Sequence, residues 1–299
     1  MTSPSVLLYR LYFIPKDIMG RIVSQWPSLQ RPLNSVKSIL RRYILPKTRT
    51  WLQVQNGLTQ GMWMRLNLPD DARYWRGEHE PEVGRALVAA VQPGHVVYDV
   101  GAHLGYFALG VARILGKSGR VVAFDGDPDN ASRVRENVVK NDLGESVQVC
   151  HAAVWSRAEP DKISFRRGIE PRAQGGVESD GCRPVLGNAE LIEVPAITLD
   201  TFIARGAPPP HLIKIDVEGG EYEVLLGARQ LFGRHRPLVV AEVHHPLAVQ
   251  QIGRWLEQYR YCTKWNGTEG PPQLLAWPAE YEGEAWMQRL NQVGTSPPV

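Results

Sequence analysis

The run Asp99-Val100-Gly101-Ala102-His103-Leu104-Gly105 sets a carboxylate and two glycines directly behind an apolar stretch. Glycine permits the tight turn such a run requires, and a second glycine lets backbone and ligand approach at the start of a helix. Asp99 can hold the turn's amides or, through water, a ligand's ammonium. Farther on, Val121-Val122-Ala123-Phe124-Asp125 ends another apolar stretch in a carboxylate. A carboxylate there can accept from both hydroxyls of a ribose. A dinucleotide site needs G-x-G-x-x-G so that pyrophosphate can reach the helix N-terminus. Here Ala102-His103-Leu104 separates the glycines and the middle one is missing. A nucleoside ligand without phosphate, such as S-adenosylmethionine, suits this turn better.

A second group can move protons. Asp216, Glu218, Glu242, His244 and His245 lie at the ends of two later apolar stretches. In a strand Glu242 and His244 point to one face, so Asp216, Glu242 and His244 can converge. One reading makes His244 a general base near its ordinary pKa of about 6.5, oriented by a carboxylate. A less favoured reading makes Asp216, Glu242 and His244 ligands of a divalent cation. A third makes Lys214, Asp216 and Glu242 a buried ion-pair cluster that fixes strand ends. Glu80, just before Pro81, can cover one end of the ligand or favour the start of a helix. Ala152, with Cys150, His151 and Ala153, lies where a base would contact backbone.

Elements must bring these groups together. Periodicity predicts strands over 96–99, 120–125, 147–154, 212–216 and 238–244, with helices over 105–115, 130–141, 221–231 and 247–258 between them. Thr198 caps a short helix over 198–204. A strand pair over 261–265 and 273–277 closes the chain. This is an α/β fold: a doubly wound, mostly parallel, seven-stranded Rossmann-like sheet with an antiparallel edge. Residues 93–299 form that domain, with a variable substrate loop over about 157–190. Its arginines Arg166, Arg167, Arg172 and Arg183 suit an acidic or phosphorylated acceptor, although solvated loop charge is the simpler reading. Residues 51–92 are a lead-in of hairpin and helix.

Residues 1–50 form a basic extension with apolar residues at helical spacing and Asp17 its only acid. It reads as a packed cap or a dimer contact, or as an arm for peripheral contact with a membrane surface. Its apolar run 6–14 is interrupted by Arg10 and too short to span a bilayer. The net charge of +3 gives no reason to expect nucleic acid as a partner. Cys150, Cys182 and Cys262 show no C-x-x-C spacing and read as reduced thiols of a cytoplasmic protein.

Three blocks resemble the FkbM family of methyltransferases: Gly77-Glu78-His79-Glu80-Pro81 leading into Val97–Tyr106, Val122-Ala123-Phe124-Asp125 with Asp127-Pro128 and Asn137, and Ile197-Thr198-Leu199-Asp200 running to Lys214-Ile215-Asp216-Val217-Glu218-Gly219-Gly220-Glu221. Glu242-Val243-His244 fits as well. The family pattern carries asparagine at the position of His103 and Glu-Pro at Asp125-Gly126. The resemblance implies S-adenosylmethionine as cofactor and methyl transfer to a hydroxyl of a sugar, glycan or secondary metabolite. Its cofactor residues would be Glu80, Asp99, Gly101, Ala102, His103, Gly105, Asp125, Ala152 and Asp216. The chain has no N/D-P-P-Y/W or Pro-Cys motif for nitrogen or cytosine carbon acceptors. A nitrogen acceptor reached by other means, and a non-catalytic cofactor-binding scaffold, are the competing readings.

Overall fold

The computed structural model describes residues 24–26, 49–157, 161–168, 176–177, 189–266, 271–283 and 285–293. Nearly all of the basic extension, where apolar residues recur at helical spacing, lies outside the described residues, as do Arg172, Cys182 and Arg183. The description opens with the antiparallel pair β1 (Thr50–Gln53) and β2 (Trp63–Leu66), then α1 (Ala72–Arg76) and α2 (Pro81–Ala90). Strand and helix then alternate: β3 (Val96–Val100), α3 (Tyr106–Leu115), β4 (Arg120–Asp125), α4 (Pro128–Lys140) and β5 (Val147–His151). Strands covered on both faces read as continuous apolar runs, and β3 and β4 are buried almost throughout. Asp127 caps α4 by accepting from the amides of Asp129 and Asn130.

The third expected strand breaks after His151. Its remainder, β6 (Ala153–Val154), leaves the main sheet and pairs with a second one. That smaller sheet also holds β7 (Lys162–Gly168), β8 (Gly176–Val177) and β9 (Ala189–Ile197). The described residues of the stretch expected to be loop are therefore mostly strand. Phe165 and Val194 of the β7–β9 pair are buried against Ala153, which gives this sheet its own small core.

The main fold resumes with α5 (Leu199–Ala204), β10 (Leu212–Ile215), α6 (Glu221–Leu226), α7 (Arg229–Arg234), β11 (Leu238–Glu242) and α8 (Pro246–Gln258). It closes with β12 (Tyr261–Asn266), β13 (Gln273–Pro278) and α9 (Ala285–Val293). The strand order is β12-β13-β11-β10-β3-β4-β5, and β13 alone runs against its neighbours. The expected seven-stranded fold is present, with the antiparallel strand one place in from the edge. Leu52, Met64 and Leu66 of the hairpin belong to the same buried cluster as Leu87 of α2 and Leu109 of α3. The lead-in therefore shares the main core. Asn137 of α4 docks the hairpin by accepting from the Arg65 amide and donating to the Leu104 carbonyl.

At the opposite end of the sheet from the ligand turn, the rings of His95 and His211 stack with centroids 4.5 Å apart. The Val96 amide donates to His211 Nδ1 at 3.0 Å. Partial burial, then the facing ring and Arg289, hold His95 below its usual range. Partial burial lowers His211 against its contact with the Val96 backbone. The unfolded chain therefore binds these protons at higher pH than the fold does. The stability they contribute is present above the unfolded pKa of about 6.5 and is lost as pH falls through it. A variant with glutamine at both positions is expected to lose less Tm than wild type, by a few degrees, when pH drops from 7.5 to 5.5. Parallel thermal melts would show this, and identical acid sensitivity would refute it.

Candidate active site

A cavity of about 510 Å³ opens over the carboxyl ends of β3, β4 and β10, where ligands of open parallel sheets bind. One wall is the turn after β3. Gly101 has φ +81°, and a Cβ there would lie 1.7 Å from the Asp216 carbonyl oxygen. The glycine is required by the close passage of β10's end. The amides of Gly101 and Ala102 both donate to the Phe124 carbonyl at 2.9 Å. Gly105 also has positive φ, but a Cβ there would meet Val134 of α4. Gly105 therefore serves the packing of α3 on α4, and the ligand approach expected of it goes to Gly101, Ala102 and His103.

Asp125 organises this wall. Its Oδ2 accepts the His103 amide and its Oδ1 the Asp127 amide, each at 2.8 Å. Asn130 Nδ2 reaches Oδ1 at 3.4 Å. Oδ1 therefore has two donors, while Oδ2 keeps a lone pair, and Asp125 lines the cavity. Burial pushes Asp125 up to about 7, against the two amide bonds that lower it. His103 sits at φ +51°, with Nδ1 3.0 Å from the Tyr74 hydroxyl. Burial, then the nearby Arg133, drives it down to about 4, so the ring is neutral. Ala152 and Ala153 line the adjoining wall, whereas Cys150 and His151 do not.

The opposite wall is charged. Lys214 projects from β10 and donates to the Gly101 carbonyl at 3.1 Å. It pairs with Asp216 at 3.3 Å and Asp99 at 3.4 Å. Asp99 therefore faces Lys214, and the turn's amides donate instead to the Phe124 carbonyl and to Asp125. Burial opposes the Lys214 charge, but Asp216, Asp99 and Glu80 outweigh it and hold the ammonium above its usual range. This is the ion-pair reading of the sequence, with Asp99 as its second anion.

His244 is the centre of a second knot. The strand ends at Glu242, so His244 reaches the cluster from the following loop. Its Nδ1 lies 2.8 Å from Glu221 Oε1, which also accepts the Gly219 amide. Its Nε2 faces Glu218 at 3.5 Å, Asp216 at 3.8 Å and Glu242 at 4.0 Å. Burial opposes protonation, but Glu221, Glu218 and Asp216 overcome it and raise the imidazole to about 9. The surrounding carboxylates thus favour the protonated ring, in contrast to the base near 6.5 that the sequence leads one to expect. Neither His244 nor Glu242 lines the cavity. Sequence alone does not reveal Glu221 as the buried anchor of this ring, because its helix start reads as ordinary capping.

Between the two walls stands Glu80. His79 Nε2 lies 3.0 Å from its Oε1. Burial, then His103 and Lys214, lowers His79 to about 3, so it is neutral. Oxygens of Glu80, Asp216 and Glu242 lie within 4.8 Å of one another, as do ligand atoms of Asp216, Glu218 and His244. Acidic groups gather in this way in many proteins without binding an ion. Tyr74, His79, Tyr106 and Phe107 form an aromatic margin beside them. Tyr74 was missed in the sequence because α1, at five residues, is too short for periodicity to register. Arg167 lines the cavity but is paired with Asp127 and Asp129. Its charge is already met, so it offers an acidic acceptor less than its sequence position suggested.

Residues 99–263 match the family described as the methyltransferase FkbM domain. Over 230 residues the chain is 24% identical to the hexuronic acid methyltransferase AglP of Haloferax volcanii, covering 73% of this chain and 89% of that protein. Over 177 residues it is 31% identical to the 31-O-demethyl-FK506 methyltransferase FkbM of Streptomyces tacrolimicus, covering 52% of this chain and 67% of that one. Among solved structures it is similar to a methyltransferase FkbM from Methylobacillus flagellatus, at 16% identity and a TM-score of 0.43 over 60% of this chain and 43% of that one.

Proposed function

Because this chain belongs to the FkbM family of S-adenosylmethionine-dependent methyltransferases, we propose that it methylates a hydroxyl of a sugar, glycan or secondary metabolite. The observation that carries this reading is the two-ended cavity, with a ribose-accepting carboxylate at Asp125 and a proton-accepting carboxylate cluster around Asp216. The names of the two relatives, a hexuronic acid methyltransferase and a 31-O-demethyl-FK506 methyltransferase, support oxygen as the acceptor atom.

The residues present fit the cofactor. Gly101 leaves the turn without a Cβ, and the free lone pair of Asp125 Oδ2 can accept a ribose hydroxyl. Backbone at Ala152 and Ala153 borders the place for the base. Carboxylates outnumber arginine and lysine along the lining, which favours a cationic ligand. When bound, S-adenosylmethionine supplies a methyl carbon activated by a sulfonium. The chain's own work is to fix both ligands in line, exclude water and remove the hydroxyl proton.

Labelled S-adenosylmethionine incubated with fractionated extract of the source organism tests the reading. Label in a product that survives mild alkali, as an ether does, is the expected result. Label only in amines or alkali-labile esters would overturn it. Tight binding of S-adenosylhomocysteine with no transfer would favour the scaffold reading.

A further inference from the structure

We propose that Glu80 is the catalytic base, its Oε2 taking the proton of the acceptor hydroxyl. This rests on hydroxyl methylation as the reaction. Four carboxylates converge on the cluster; two of the others have partners there, and the third does not line the cavity. Asp216 is paired with Lys214, and Glu218 faces His244. Glu242 stands behind the cavity wall. Glu80 lines the cavity, and while its Oε1 is held by His79, its Oε2 is buried with no hydrogen-bond partner. An unpartnered carboxylate oxygen is costly to bury, and an acceptor hydroxyl is the donor that would satisfy it.

Position supports the role. Glu80 and Asp125 line the same cavity, and an oxygen of Glu80 lies within 4.8 Å of oxygens of Asp216 and Glu242. The backbone of Glu80 is left-handed, with φ +39°, immediately before Pro81 at the start of α2. Its side chain is aimed inward from the edge of the helix. Burial, then the charge of Asp216, pushes the carboxyl up to about 8, a proton affinity suited to a general base in mildly alkaline solution. In the step, an electron pair of the acceptor oxygen forms the bond to the methyl carbon. The carbon–sulfur pair remains on sulfur as the thioether, and the hydroxyl proton passes to Glu80 Oε2.

The test compares wild type with Glu80→Gln. The variant should bind S-adenosylhomocysteine within about threefold of wild type by calorimetry, while kcat falls by roughly 10²–10⁴. The alkaline rise of the wild-type pH profile, centred near 8, should disappear. Infrared difference spectra of the ligand-free proteins should show a protonated carboxyl band that titrates near pH 8 and is absent from the variant. Absence of that band in wild type overturns the proposal whatever the acceptor proves to be. So does a variant that loses affinity tenfold and turnover only in proportion, since Glu80 would then hold the cofactor. Turnover abolished by a chelator and restored by Mg²⁺ or Mn²⁺ also overturns it. Wild type that binds the cofactor product, shows the band and methylates no hydroxyl refutes the reaction assigned above.

Discussion

Asp125→Ala is expected to weaken binding of S-adenosylhomocysteine by about a hundredfold or more. The carboxylate performs two tasks, and alanine removes both. It would accept a ribose hydroxyl at Oδ2, and a charge-assisted hydrogen bond contributes roughly 1.5–3 kcal/mol. It also accepts the amides of His103 and Asp127, so its loss leaves the cofactor turn without its anchor. Asp125→Asn should fare little better. One oxygen becomes an NH₂ group, which must then face an amide hydrogen at either His103 or Asp127. Because burial raises Asp125 to about 7, only part of the free protein is competent to bind near neutrality. Affinity should fall about tenfold from its alkaline plateau by pH 6, and binding at neutral pH should release a proton. Calorimetry at pH 6 and pH 8 in buffers of different ionisation heat reads both effects. An alanine variant with the same pH dependence as wild type would move the titration to another group.

The core of this fold was legible because its signals are local. The Arg120–Asp125 strand ends where its apolar run ends, and Thr198 caps its helix by accepting the Thr201 amide, three residues on. The errors come from contacts made at a distance. The single helix expected over 221–231 is two, because Gly227 lies against the Trp155 backbone, where a Cβ would come within 2.1 Å of its carbonyl oxygen. The second helix then starts afresh with its amides at Gln230 and Leu231 capped by Asp200. No window of sequence around residue 228 contains that cap. Likewise the strand over 147–154 breaks where the Ala152 amide turns to the Asp125 carbonyl and Ala153 pairs with Ala196.

The site divides in the same way. The glycine turn and Asp125 can be read from spacing, because one strand-turn-helix unit and its neighbour fix them. What the nearby groups do depends on the charges that surround them. His244 reads as a neutral base until Glu221, Glu218 and Asp216 are placed around it. Asp99 reads as a cofactor residue until Lys214 is seen to occupy it. Glu80 reads equally well as a cap or a contact until the residue is found lining the cavity with one buried oxygen unpartnered.

Lys214→Met is expected to destabilise the fold by about 3–5 kcal/mol, the usual cost of removing one partner from a buried ion cluster. The methionine fills most of the lysine's volume, so the loss is electrostatic. The Lys214 side chain is 5% exposed and the Asp99 side chain 4%. Asp99 would keep little beyond a contact with the Ala108 backbone to replace the ammonium, and Asp216 would face Glu80, Glu218 and Glu242 with only His244 to balance them. In the variant these carboxyls take up protons in the fold more readily than in the unfolded chain. The deficit is therefore largest at high pH and shrinks as pH falls and they become neutral. Thermal melts should show a Tm lowered on the order of 10 °C at pH 8, with a smaller gap at pH 5. Adding Asp99→Asn to Lys214→Met removes one stranded charge and should recover part of the loss, a coupling that a double-mutant cycle measures directly. A methionine variant as stable as wild type at pH 8 would mean that Lys214 is not what holds the β3 turn against the end of β10. The positions of Gly101 and Asp216 would then have to come from backbone packing alone.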